Sequence, residues 1–417
     1  MLLSKNVKVL FIAFRHSIDD ARVFHKEAMS LFNKGFDISL LSRMNNEGEF
    51  TSFTGKIYAK SDSKNSFIDF NGIKLWGIKQ NHRKFLKSLL RLIFLFKAVK
   101  KIAQIKPQII HVHEFDLALL SSILYKIFYS RSNRIILIHD MHEFPGAESY
   151  DNIVKSKINF VAPISKLINF LWCKYSLLFI DHVFTANTIV RGYVLSLNYN
   201  ISVDVLFNVP KLEYVKRKAI SLKKLNVKRK LVICHEGSLG KERGLGQLLE
   251  IMSKVKDIAF LKIIGDIYLN EKHFFEKKIE EFNLEGNVIV TGWLKYEKVF
   301  EEMENCDIGL VLFLPTKNNR LAGPPNKLFN YMLMKLYIIS TDLPETRLVL
   351  NNYKTGSIID ISQIDKIVTL IRNLNENPEV MQNSINNASM AISQYLNWSN
   401  MEKIMLNRYE EFSKCVD

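Results

Sequence analysis

Short apolar runs that end in polar residues, each followed by a stretch of helical period, recur along this chain, and that alternation leaves few folds open. Val7 to Phe14 reads as a strand, Asp20 to Lys34 as a helix closed by Gly35, and Phe36 to Leu41 as the next strand. That is the opening of a parallel α/β sheet. Pro107 to Glu114, Ile135 to Glu143, Asp181 to Asn187 and Asp204 to Asn208 continue the series. After Val209-Pro210, the lysine-rich Lys211 to Lys230 has no sheet alternation and reads as a boundary. The alternation then restarts, with strands at Lys230–His235, Phe260–Gly265, Val288–Gly292, Ile308–Phe313 and Tyr337–Ser340, and helices between them. The tail turns helical, from Pro378 to Tyr395 and then from an Asn397-Trp398-Ser399 cap to Phe412.

At 417 residues the chain exceeds one typical core. The pattern predicts two doubly wound, Rossmann-like α/β domains: residues 1–210, a linker over 211–229, and 230–396, followed by a C-terminal helix over 397–417 that packs back on the first domain. Two such domains would face each other across a cleft. Hydrophobic residues make up 47% and charged residues 24%, a globular balance. Cys173, Cys234, Cys306 and Cys415 show no metal-site spacing and suit a reducing cytoplasm. The Met1 to Phe14 start lacks the apolar core and cleavage site of a signal peptide, so it reads as a strand.

A net charge of +16 asks for an anionic partner. No finger, RNA-binding sheet signature or arginine-rich tail accompanies it, so nucleic acid has only charge in its favour. No acidic residue occurs from Asn71 to Gln108. Within that stretch Arg83 to Lys106 reads as an amphipathic helix. Phe85, Leu86, Leu89, Leu92, Ile93, Phe96 and Val99 fall on one side and Lys84, Lys87, Arg91, Lys97, Lys100 and Lys101 on the other, while Phe94 and Leu95 interrupt the polar face. The pattern suits either an anionic membrane surface or a sheet-covering helix. Pro163 to Ile180 is a packed helix or a second interfacial patch, and neither stretch suits a membrane span.

Four loops carry candidate chemistry. The first strand lacks a G-x-G-x-x-G and leads into Arg15-His16-Ser17-Ile18-Asp19-Asp20-Ala21-Arg22, where Asp20 reads as a helix cap. His111-Val112-His113-Glu114 and His139-Asp140-Met141-His142-Glu143 set titratable groups at the ends of two strands. Their spacing is not that of a helical zinc motif, so no metal is expected. Glu236-Gly237-Ser238-Leu239-Gly240-Lys241-Glu242-Arg243-Gly244 is a glycine-bearing loop ahead of a helix, with two cations. Gly323-Pro324-Pro325-Asn326-Lys327 breaks the chain and starts a helix, with Asn326 as the expected N-cap. Lys327 in that first turn opposes the helix dipole unless an anion sits there.

Taken together these segments resemble a retaining, nucleotide-sugar-dependent glycosyltransferase of the GT-B fold, from the group 1 (family 4) type. Six stretches carry the resemblance in order: Asp20-Ala21-Arg22-Val23 with Gly35-Phe36-Asp37-Ile38, Ile109 to His113, His139 to Glu143, Asn208-Val209-Pro210, Gly237 to Leu245, and Pro325 to Met332. The resemblance implies a nucleotide-diphosphate sugar as donor, bound by the C-terminal domain without a metal, and an acceptor that is lipid-linked or a polysaccharide. Arg243 then matches the base on the diphosphate and His142 the sugar-side histidine. Gly237, Ser238, Lys241, Asn326, Lys327, Leu328 and Asn330 fall on the donor side, and Arg15, Arg22, His113, Glu114 and Glu143 on the acceptor side.

Three positions depart from the family pattern. Asn330 stands where relatives place Glu, Ala322 where a first acidic residue often stands, and Ser238 where an arginine often stands. An asparagine can hydrogen-bond a ribose hydroxyl, at roughly half the strength of a charged partner. These departures keep a second possibility open, a non-catalytic homologue serving as a partner subunit. For an active enzyme the setting implied is the cytoplasmic side of a bacterial membrane, in surface glycan synthesis.

Overall fold

The computed structural model describes residues 7–51, 56–60, 67–79, 87–130, 134–145, 161–213 and 229–416. The chain divides into two compact units, residues 1–206 with 401–417, and residues 207–400. Most of the expected linker lies outside the described residues.

The first unit is built on an eight-stranded sheet of order β10-β9-β8-β7-β1-β2-β6-β5. Its strands are β1 (Lys8–Ile12), β2 (Asp37–Met44), β5 (Ile68–Phe70), β6 (Ile73–Lys79), β7 (Ile109–Val112), β8 (Ile136–Met141), β9 (His182–Thr185) and β10 (Ser202–Val205); β3 (Glu49–Thr51) and β4 (Ile57–Lys60) form a separate ribbon. All pairs in the large sheet are parallel except β5 with β6. That hairpin turns at Asn71-Gly72, both at positive φ, the dihedrals of a two-residue type I′ turn. Parallel strands are covered on both faces, which is why Leu10, Phe11, Ile12, Ile109 and Ile110 form nearly unbroken apolar runs and are fully buried.

The helix expected from Asp20 begins instead with a π-helical turn, Val23–Ala28, before α1 (Met29–Lys34). Asp20 still caps it, its Oδ1 accepting from the N–H groups of Arg22 at 2.8 Å and Val23 at 2.9 Å. Helix α2 (Lys87–Ile105) corrects the sequence reading of its faces. The buried residues are Phe94, Leu95, Ala98, Ile102 and Ile105, whereas Leu92, Ile93 and Phe96 point to solvent, Phe96 at 72% exposure. The small Ala98 at the centre of the buried row lets the backbone approach its neighbours, and the interrupting Phe94 and Leu95 are its core anchors. Phe85 and Leu86 lie outside the described residues. Then follow α3 (Leu117–Tyr129), α4 (Val161–Ser176) and α5 (Thr188–Leu197).

The second unit holds a wholly parallel six-stranded sheet, order β13-β12-β11-β14-β15-β16. Its strands are β11 (Leu231–Glu236), β12 (Ala259–Ile264), β13 (Val288–Val290), β14 (Ile308–Val311), β15 (Tyr337–Ser340) and β16 (Gly356–Ile358). Numbered from its own first strand this is the doubly wound order 3-2-1-4-5-6, with the winding reversing between β11 and β14. The helices in chain order are α6 (Leu245–Val255), α7 (Lys272–Glu281), α8 (Tyr296–Met303), α9 (Lys317–Leu321), α10 (Asn326–Leu333), α11 (Pro344–Tyr353), α12 (Ile364–Glu376), α13 (Glu379–Gln394) and α14 (Trp398–Val416). Asn397 caps α14 through Oδ1, which accepts from Asn400 N–H at 3.1 Å.

The later turns of α14 belong to the first unit. Tyr409, fully buried, sets its hydroxyl 2.7 Å from His111 Nδ1, Arg408 pairs with Asp204 at 2.6 Å, and Phe412 meets the His182 ring edge-on.

Candidate active site

In an open α/β sheet, ligands bind beyond the strand carboxyl ends, where the strand order reverses. In the second unit that point is the end of β11, and the sequence there reads His235-Glu236-Gly237-Ser238. Gly244 lies in the left-handed region at φ 77°, and a Cβ there would sit 2.1 Å from the Leu312 carbonyl oxygen, so only glycine fits. Leu239 pairs with Ile267 as an isolated bridge, and Tyr268 N–H donates to the Leu239 carbonyl at 3.0 Å, which ties the loop to the strand beside it.

Arg243 stands half-buried between two rings, 5.5 Å from Tyr268 and 5.9 Å from Phe313, and donates to the Ser238 carbonyl at 2.8 Å. These two cation–π contacts help to hold the guanidinium in place. Lys241 is exposed at the start of the same turn. Gly237 is at φ 86° with open space where a side chain would stand.

Helix α10 brings the second basic group. Its N-cap is Pro325 and not Asn326, which is the first helical residue. Proline supplies the extended dihedrals but no side-chain acceptor, so the helix start has no side-chain cap, and the Asn326 and Lys327 amides face its open end. Lys327 is buried. Its Nζ lies 2.9 Å from His235 Nε2 and 5.4 Å from the Phe313 ring centre. Burial pushes the Lys327 pKa down to about 7, with Arg243 adding to the shift and Glu236 opposing it. Burial and then Lys327 hold His235 well below its ordinary value, so it is the neutral acceptor of this pair.

Asn330 does not offer its amide outward. Its Nδ2 donates to both oxygens of Glu236, at 3.1 and 3.0 Å. Leu328 is fully buried, and its N–H already donates to the Pro325 carbonyl at 2.9 Å, so it serves the core of α10. Tyr331 locks the helix in place by accepting from Glu236 N–H at 2.8 Å. It can do so because Gly309 has no side chain; a Cβ there would lie 2.4 Å from the Tyr331 ring.

In the first unit the strand order reverses between β1 and β7. Arg22, expected on the acceptor side, is buried instead. It pairs bidentately with Asp140, lies 2.8 Å from Glu27 and donates to the Leu206 carbonyl at 2.6 Å. Its guanidinium stands at a cluster of Glu27, His111, His113 and Asp140, whose candidate ligand atoms lie within 4.8 Å of one another, and so supplies the charge a cation would bring there. Burial alone would raise the Asp140 carboxyl, but Arg22 and His142 hold it well below the usual range; burial and Asp140 push Glu27 well above it.

His113 is buried and stacked on His111, its Nδ1 2.9 Å from His142 Nε2. His142 Nε2 also lies 3.2 Å from Asp140 Oδ2, so one proton on that nitrogen serves both contacts and leaves Nδ1 as an acceptor. Burial lowers the His142 pKa, with Asp140 pulling the other way. Glu114 accepts from Arg15 N–H at 2.6 Å, while the Arg15 guanidinium pairs with Asp116, and Glu143 is exposed. Two groups were given no role from the sequence: His16, whose ring centre is 5.1 Å from that of His142, and Glu27, five residues beyond Arg22 on the π turn.

Two doubly wound parallel units in one chain, each with polar side chains at its reversal point, define the GT-B class of fold. Residues 216–390, most of the second unit, match the model of a family described as Glycosyl transferases group 1. Among curated proteins none matches the sequence. The fold is shared with sucrose-phosphate synthase from Thermosynechococcus elongatus, at 12% identity and a TM-score of 0.71 over 97% of this chain and 98% of that one. It is shared also with Anabaena HepE solved in complex with UDP, at 12% identity and 0.68 over 97% and 100%. The lipopolysaccharide outer core galactosyltransferase WaaB follows at 13% identity and 0.59 over 96% and 100%.

Proposed function

We propose that this protein moves a sugar, with retention of configuration, from a nucleotide-diphosphate sugar to a lipid-linked or polysaccharide acceptor in bacterial surface glycan synthesis. The observation that carries the reading is the convergence at the end of β11 of Arg243, Lys327 and the uncapped start of α10. These are fixed positive groups suited to the charge that grows on a departing nucleoside diphosphate. Basic side chains and a helix terminus would offset that charge without a metal. His142, with its Nδ1 left as an acceptor, is the proposed sugar-side histidine. The HepE complex with UDP and the WaaB acceptor class support the donor and glycan parts of the reading by fold alone.

Arg243→Ala tests it. Turnover of a nucleotide sugar that wild type uses should fall by about 100-fold or more. Unchanged turnover would remove Arg243 from the site. A wild type that binds nucleoside diphosphates yet turns over no nucleotide sugar would favour the partner-subunit reading.

A second observation supports work at an anionic membrane surface. Three helices of the first unit leave large apolar side chains in water: Leu92 and Phe96 on α2, Phe128 on α3, and Ile164, Leu167 and Ile168 on α4, each above 50% exposed. Lys97, Lys100, Lys166 and Lys174 share these helices, and residues 87–105, 117–129 and 161–176 contain no acidic residue. Exposed apolar side chains on helices that also carry cations fit a bilayer of anionic lipid. No helix among the described residues is long and apolar enough to cross a membrane. Flotation with anionic vesicles should carry the protein, and equal binding to neutral vesicles would sink the electrostatic part.

A further inference from the structure

A carboxylate stands among the cations of the second unit, and its position is unexpected for a phosphate site. Glu236 is the last residue of β11, at the reversal point of the sheet. Its side chain is half-buried, with Lys327 and His235 on the same strand end and helix start. A carboxylate in this place would repel a diphosphate, so its use must lie with an uncharged, hydroxyl-bearing part of the ligand. Its one hydrogen-bond donor among the described side chains is Asn330, a single nitrogen reaching both oxygens. A carboxylate has about four acceptor sites, so capacity remains for two ligand hydroxyls.

Both fixed ties of this group come from α10. Asn330 Nδ2 holds the carboxylate, and the Tyr331 hydroxyl accepts from the Glu236 backbone N–H. Gly237, the next residue, leaves open space beside it. Burial raises the Glu236 pKa, opposed by Asn330 and Lys327, so the chain tolerates a costly charge here.

We propose that Glu236 accepts hydrogen bonds from the vicinal hydroxyls of the donor nucleotide's ribose, and that Asn330 is a positioning residue that aims the carboxylate. The inference rests on the reading that the second unit binds a nucleoside diphosphate. An acidic side chain taking ribose hydroxyls near a strand end is a general solution of doubly wound sheets.

The test uses the full chain and isothermal titration with UDP, ADP and GDP, followed by the 2′-deoxy form of the tightest binder. Wild type should bind the ribonucleotide about tenfold or more tightly than its deoxy form. Glu236→Gln should weaken the ribonucleotide by a similar factor and bring the ratio close to one. Asn330→Glu alone should also weaken binding, because it sets two carboxylates against each other, and the double variant Glu236→Gln/Asn330→Glu should restore discrimination. A wild type that binds both forms equally overturns the proposal whether or not any variant folds. An unchanged ratio in Glu236→Gln overturns it as well. A wild type that binds none of the three diphosphates overturns the nucleotide reading itself, and this inference falls with it.

Discussion

At the reversal point of the first sheet, one strand end carries His113 and Glu114, the next carries Asp140 and His142, and Arg22 reaches in from the π turn. At that of the second sheet stand His235, Glu236, Lys327 and Arg243. The first set is closed: Arg22 is spent on Asp140, Glu27 and a carbonyl, and Asp140 also takes His142. The second is open. Arg243 is held by two rings and one carbonyl, Lys327 by a neutral histidine, and neither forms an ion pair among the described residues. The same winding therefore serves two ends. One unit neutralises its charges internally, and the other leaves two cations without an ion pair among the described residues, as the proposed donor site requires.

The sharpest way to break this contrast is Arg22→Ala. It strips the buried carboxylates of their cation and should cost the first unit about 3–5 kcal/mol. Hydrogen exchange read separately over the two units should show loss confined to the first unit, residues 7–206 with 401–416, and equal loss in both would refute the division of roles.

Acid should discriminate the units next. Burial holds His111 at about 3 and His139 and His182 at about 4, against an ordinary 6.5. Groups with depressed values stabilise fully above the unfolded pKa and lose that contribution as pH falls from about 6.5 toward 4. Each can cost up to about 1.4 kcal/mol per pH unit within that window. The second unit has only His235 in this condition among its described residues. Thermal unfolding between pH 7 and 5 should therefore show the first unit softening ahead of the second; joint softening would contradict it.

Lys327→Met should do the reverse of Arg22→Ala, reducing affinity for UDP by about 10- to 100-fold while leaving the second unit as stable or more so. Calorimetric affinity beside a melting curve separates the two effects. The smallest effect concerns its proton. With a pKa of about 7, raised when a diphosphate arrives, Lys327 must take up a proton on binding above that pH. Affinity should fall as pH rises past 7, by at most about tenfold per unit. Titration in buffers of different ionisation enthalpy reads the uptake directly, and none at pH 8 would show that Lys327 stays charged throughout.

Strands with long apolar runs and polar ends were readable because burial on both faces leaves little choice of side chain. Tyr337–Ser340 falls where the pattern put it, and a helix, Leu245–Val255, follows the glycine-bearing loop as expected. Contacts decided by tertiary packing were not readable. Arg22 and Asp140 are 118 residues apart, and Glu236 and Asn330 are 94 apart, so no local pattern links them. Helix α2 left two readings open in sequence, a membrane contact or a sheet cover, and tertiary packing parts them: Phe94 and Leu95 pack, while Leu92, Ile93 and Phe96 of the apolar side meet solvent. The Asn71-Gly72 turn was the one missed signal that local sequence did carry.

Helix α14 has a consequence for how the chain is made. Tyr409 and Phe412 complete the core of a unit whose other residues end at 206. At about 5–20 residues per second, those residues emerge roughly 10–40 s after the rest of the unit. Through that interval His111 has no hydroxyl partner and the β9–β10 edge has no cover from this helix, while the whole of the second unit is being synthesised. The second unit can thus finish folding before the first, inverting the order in which they are encoded, and the half-built first unit is the stage at which a chaperone would find the most to hold.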